Sequence, residues 1–159
     1  MSTVVSHEDV HWNLADLLDG EGEERVGTLL DEALERSEAF AEHYRGALAT
    51  IDGDGLRQAM EELGAINDLV GRAGSYAGLR FSTDTADAQR GALLQSVQER
   101  GTKLETLLLF FELEWTALDD ARAEELLSAD GLDFCRHHLR NLRRYRPHLL
   151  SEPEELILA

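Results

Sequence analysis

Apolar and small residues recur every three or four positions along most of this chain, the spacing of helices that each bury one stripe. From about Glu23 to Ile51 they fall at Val26, Leu30, Ala33, Ser37, Phe40, Tyr44, Ala47 and Ile51. Asp52-Gly53-Asp54-Gly55 follows and is the expected stop, because glycine readily adopts the left-handed cap conformation. A second helix is predicted over about Leu56 to Leu79, with Leu56, Met60, Leu63, Ile66, Val70, Ala73 and Ala77 on one face. A polar connection, Phe81 to Asp87, offers three possible N-caps. The third helix, about Ala88 to Leu118, steps through Leu94, Val97, Gly101, Leu104, Leu108, Phe111, Trp115 and Leu118. Gly101 in its middle costs about 1 kcal/mol against alanine, which suggests a close helix approach there.

A short helix is predicted over about Asp120 to Leu127, and another over about Leu132 to Tyr145 with Leu132, Cys135, Leu139 and Leu142 inward. Arg146-Pro147-His148 breaks it, and Ser151-Glu152-Pro153-Glu154 reads as the start of a further helix. A helix that begins seven residues before the end of the sequence suggests a fragment of a longer protein. The expected fold is all-α, an elongated helical bundle of five or six helices, three of them long. The expected divisions are an N-terminal arm over 1–22, a helical domain over 23–150, and over 151–159 the start of a helix leading onward. The helical seams together with Trp115, Phe110 and Phe111 offer more apolar faces than one three-helix core uses. Phe110 and Phe111 lie about 100° apart on a helix, so one should pack inside and the other face another layer.

Composition narrows the function classes. Of 159 residues, 15 are basic and 32 acidic, a net charge of −17 that argues against nucleic-acid binding and against an anionic membrane surface. Lys103 is the one lysine; the other basic residues are arginine, which fits either a high-salt cytoplasm or a GC-rich genome. A single cysteine, Cys135, excludes an internal disulfide framework. The first residues lack the basic and apolar regions of a signal peptide, and the longest apolar run, Leu107 to Phe111, is too short to span a membrane. A cytoplasmic location is expected.

Three constellations could carry chemistry. His7-Glu8-Asp9-Val10-His11 satisfies the pattern in which two histidines one turn apart bind zinc and the glutamate serves as general base, with Glu32 and Glu35 as conceivable third ligands. The charged Asp9 and the terminal position make this a chance match, so His7, Glu8 and His11 are not expected to bind metal. Cys135, His137 and His138 diverge around a helix, and Cys135 fits the apolar face as a small hydrophobe. The basic cluster Arg136, Arg140, Arg143, Arg144 and Arg146, with His137, His138 and His148, could bind a carboxylate or an acidic partner. Intramolecular pairing with the surplus carboxylates is the reading preferred here. No catalytic residue is assigned.

Four blocks in order resemble the N-terminal region of the oligoendopeptidase F family, zinc metallopeptidases related to thimet oligopeptidase. They are Trp12-Asn13-Leu14-Ala15-Asp16-Leu17, Gly74-Ser75-Tyr76-Ala77-Gly78-Leu79 with Ser82-Thr83-Asp84-Thr85, Leu109-Phe110-Phe111-Glu112-Leu113-Glu114-Trp115, and Arg143 through Glu155. Asn13 stands where the family usually has aspartate. The resemblance implies a non-catalytic helical domain that forms part of the wall of a groove admitting short peptides. It implies the protein's own catalytic domain as partner and zinc in that domain, with no cofactor in this chain. A free-standing acidic interaction module that self-associates is the alternative.

Overall fold

The computed structural model describes residues 13–150 together with Glu154 and Ile157. Five α-helices run in order: α1 (Glu24–Tyr44), α2 (Gly53–Thr83), α3 (Ala88–Ala117), α4 (Asp120–Leu127) and α5 (Arg136–Arg144). Two short 3-10 turns, Ala15–Leu18 and Arg146–His148, flank them, and no strand occurs among the described residues. The all-α expectation, with three long helices, stands. Glu154 and Ile157 are helical, in the segment where a further helix was expected.

The long helices alternate in direction. Glu23 reaches Arg80 and Arg36 reaches Glu62, so α1 and α2 are antiparallel. The Arg80 carbonyl accepts from Arg90, which turns α3 back along α2. Arg100 bonds Asp31, so α3 runs parallel to α1. Most of the predicted seam residues are buried: Val26, Leu30, Ala33 and Phe40 of α1 meet Leu56, Ile66, Ala73 and Ala77 of α2 and Val97, Leu104 and Trp115 of α3, while Leu63 and Val70 of α2 and Leu94 and Leu108 of α3 are only partly buried. Small residues at Ala59, Ala73 and Ala77, all fully buried, allow close ridge-into-groove packing along α2. Polar Ser37 sits inside this seam without cost because its hydroxyl donates to the Ala33 carbonyl at 2.7 Å.

The first helix stops earlier than its periodicity implied. Arg45 is extended and Gly46 takes φ +78°, the left-handed conformation suited to glycine, so α1 ends at Tyr44. The Gly46 N–H then donates to Glu114 on α3 at 2.8 Å. Asp52-Gly53-Asp54-Gly55 is a helix start instead of a stop: the Asp52 carboxylate accepts from the Gly55 N–H at 2.8 Å as the N-cap of α2. The seam nonetheless runs on through the loop, where Leu48 is fully buried.

Gly101 is not the close approach it was expected to be, since a Cβ there would meet nothing within 4 Å. That role belongs to Gly53, where a Cβ would collide with the side chain of Ala129. Phe110 and Phe111 are both buried, so neither faces another layer. Phe40 takes up both, with ring centroids at 6.0 and 5.6 Å, and Arg45 lies 4.3 Å over the outer face of Phe110. α5 begins at Arg136, four residues later than predicted. Leu132 and Cys135 are buried in the turn before it, and Leu139 is buried on the helix.

The start of the chain was read as an arm. Within it, Ala15–Leu18 docks on α2: Leu18 is buried, and Arg72 donates to the Leu17 carbonyl at 2.9 Å and pairs with Asp19 at 2.6 Å. The Arg72 guanidinium beside it holds the Asp19 carboxyl below its ordinary range.

Candidate functional site

The basic cluster resolves into a latch at one end of the bundle. The last carbonyls of a helix have no partner within it, and cations are favoured there. Arg143, on α5, donates to the Trp115 and Leu118 carbonyls at the end of α3, both at 2.8 Å, and also reaches Asp120. Arg136 donates to the Leu127 and Ala129 carbonyls at the end of α4, at 2.8 and 3.2 Å, and pairs with Asp133. Arg140 reaches Glu124 and Arg146 reaches Asp120. The indole N–H of Trp115, fully buried, donates to the Leu139 carbonyl at 2.9 Å. These arginines therefore fasten α5 across the ends of α3 and α4, and four of the five cations are engaged within the chain. Arg144 is exposed.

The candidate ligands do not come together. Cys135 is buried, and burial pushes its thiol pKa up. His137 and His138 are exposed on the other side of the helix. Glu32 pairs with Arg36 at 3.7 Å, and Glu35 is exposed. His7, Glu8 and His11 lie outside the described residues. Among the described residues no three His, Cys, Asp or Glu side chains are grouped to hold a metal.

What remains as a functional feature is apolar surface on α3. From Leu104 to Leu118 this helix carries apolar residues on every side, a pattern normally seen when a helix is surrounded. Here α1, α2 and α5 bury Leu104, Phe110, Phe111 and Trp115, while Leu107, Leu108, Leu109 and Leu113 are only half-buried. Leu108 and Leu109 form one wall of an open groove of about 280 Å³; Leu63 and Val70 of α2 form the other, and Ile66 and Leu104 the floor. Gly101 opens one end of it, and Glu105 and Glu112 stand on the α3 rim. A second hollow of about 410 Å³ lies further along α3, between Leu113, Thr116, Ala117 and the C-terminal Arg146, Leu149 and Leu150. The excess of apolar faces was legible in the sequence. Its location was not: of Phe110 and Phe111, about 100° apart on the helix, one was expected to face outward, and both are buried.

A family model described as Oligopeptidase F matches residues 114–159, the stretch that contains the latch. The chain is 26% identical over 117 residues to Oligopeptidase PepF of Bacillus subtilis (strain 168), an alignment covering 73% of this chain and 17% of that protein. The chain thus spans about a sixth of the length of that curated relative. No solved structure matches it. The two matches support an N-terminal domain of the oligoendopeptidase F family, the resemblance read from the residues themselves. Among the described residues no helix is long and apolar enough to cross a membrane.

Proposed function

We propose that this chain is a non-catalytic N-terminal helical domain of an oligoendopeptidase F-like zinc metallopeptidase, forming part of the wall of a groove that admits short peptides. The observation that carries this reading is the half-buried leucine face of α3, which a separate helical layer would cover. The similarity to Oligopeptidase PepF supports the peptidase setting, and the protein's own catalytic domain is then the partner. Zinc belongs in that domain, and the purified chain is expected to hold none stoichiometrically. Metal analysis finding one zinc per chain, lost on His7→Ala or His11→Ala, overturns that part. Cytoplasmic location follows from the same reading.

The test is complementation. The coding sequence is read past codon 159, and the segment that follows is produced separately and mixed with this chain. Co-elution and a rise in cleavage of a short quenched peptide are expected. If the second segment is fully active alone and ignores this chain, the groove-wall reading fails. Self-association of the chain, seen by sedimentation, then favours the free-standing interaction module.

A further inference from the structure

Two glutamates stand on the rim of the α2/α3 groove. Glu105 and Glu112 lie seven residues apart on α3, two helical turns or about 10.5 Å along one face. Neither forms an ion pair with a described residue, in a chain whose 32 acidic residues outnumber its 15 basic ones. Asn67 stands on the opposite wall, on α2. Between these polar edges the surface is aliphatic, with Leu63 and Val70 facing Leu108 and Leu109. Two antiparallel helices with an aliphatic trough between them accept a third helix by ridge-into-groove packing. Both walls step by three and four residues, the spacing a helix would match from the other side.

We propose that this groove is the docking site for an amphipathic helix with a cationic edge, one whose apolar stripe seats between α2 and α3 and whose Lys or Arg residues, two turns apart, meet Glu105 and Glu112. This goes beyond the groove-wall reading, naming the face that is covered and the chemistry of what covers it. Charge complementarity selects this occupant over a second copy of the chain. Each copy carries −17, and on its short basic helix Arg136, Arg140 and Arg143 are engaged at the latch, leaving only Arg144 exposed without a described partner. Gly101 fits the same picture. Its missing side chain leaves the mouth of the groove open, with nothing within 4 Å of a would-be Cβ.

The probe is a synthetic amidated helix of leucine on one stripe and lysines seven residues apart, titrated against the full 159-residue chain, with a glutamate version as control. Binding is followed by fluorescence anisotropy and mapped by amide chemical shifts. The expected result is saturable binding of the lysine helix, weakened by salt, with shifts centred on Leu63 to Val70 and Gly101 to Glu112. Glu105→Lys with Glu112→Lys should weaken it about tenfold, since each is a partly exposed charge pair. Gly101→Leu should block the groove while leaving the fold at least as stable, because the helix gains propensity and the space is open.

The proposal is overturned if the glutamate helix binds equally well, if the shifts map elsewhere, or if both variants bind as the parent does. Sedimentation supplies a separate outcome. If the chain self-associates and Gly101→Leu abolishes this, the occupant is a second copy and the cationic-helix proposal is wrong. Failure here with successful complementation by the following segment leaves the groove-wall reading intact and removes only this face.

Discussion

The latch and the α2/α3 groove share helix α3, carry similar residue types, and treat them in opposite ways. At the latch, Arg136 and Arg143 satisfy four backbone carbonyls at helix ends, and Trp115 is covered completely. In the groove, leucines are half-covered and Glu105 and Glu112 have no cation among the described residues. The difference separates charge that holds a fold together from charge that is available to a partner. A guanidinium bonded to carbonyls that water cannot easily reach is structural whatever its surface position suggests. A carboxylate beside half-buried aliphatic surface, without an ion pair among the described residues, takes no part in holding the helices together.

The largest effect expected from breaking the contrast is at the latch. Trp115→Ala removes a fully buried indole together with its bond to the Leu139 carbonyl, and should cost about 3–5 kcal/mol. Thermal denaturation should show a fall in Tm of about 10 °C or more. If the loss is within a degree or two, α5 is not fastened to α3 as described. Next comes Arg143→Met, which keeps the aliphatic stem and leaves the Trp115 and Leu118 carbonyls without their donor; about 1–3 kcal/mol is expected. Arg143→Lys should recover only part of this, because one nitrogen on a shorter side chain replaces two that each reach a different carbonyl. Full recovery by lysine would mean that charge near the helix end, and not the paired geometry, is what matters.

The groove should respond in the other direction. Gly101→Ala adds a methyl group to open space in a helix interior, so unfolding free energy should rise by about 1 kcal/mol. Destabilisation measured by urea titration would show that something close covers the site. The smallest effect concerns acid. The bidentate bond from Arg36, at 2.7 and 2.8 Å, holds the Glu62 carboxyl below its ordinary value. Its contribution is fully present above the ordinary carboxylate range and is lost as pH falls through the depressed value. With both side chains about a third exposed, this amounts to about 1 kcal/mol or less. Glu62→Gln should therefore lower Tm slightly at neutral pH and converge with the parent in acid. A constant gap across that range would assign the effect to packing.

Much of this architecture was readable residue by residue. The α3 bounds, the whole of α4 and nearly every buried position of α1 follow from periodicity and caps, because a helix repeats its environment every turn. The misjudged positions share a cause. Gly46 and Asp52–Gly55 both carry turn signals, and which one ends α1 depends on Glu114, 68 residues away, accepting from Gly46. Gly53 and Gly101 look alike in a list of glycines, and only the nearness of Ala129 makes one of them obligatory.

The sequence by itself determined the helix class, the seams, and the likeness to the oligoendopeptidase F family, since local spacing and motif order are properties of the chain. It also pointed to surplus apolar surface. Tertiary structure alone decided which apolar residues that surface comprises, burying Phe110 and Phe111 around Phe40 and leaving leucines between α2 and α3 half-covered. It alone decided that the arginines of α5 close helix ends while Glu105 and Glu112 have no ion pair among the described residues. Burial and pairing depend on which elements meet across long stretches of chain, and no local pattern encodes that meeting.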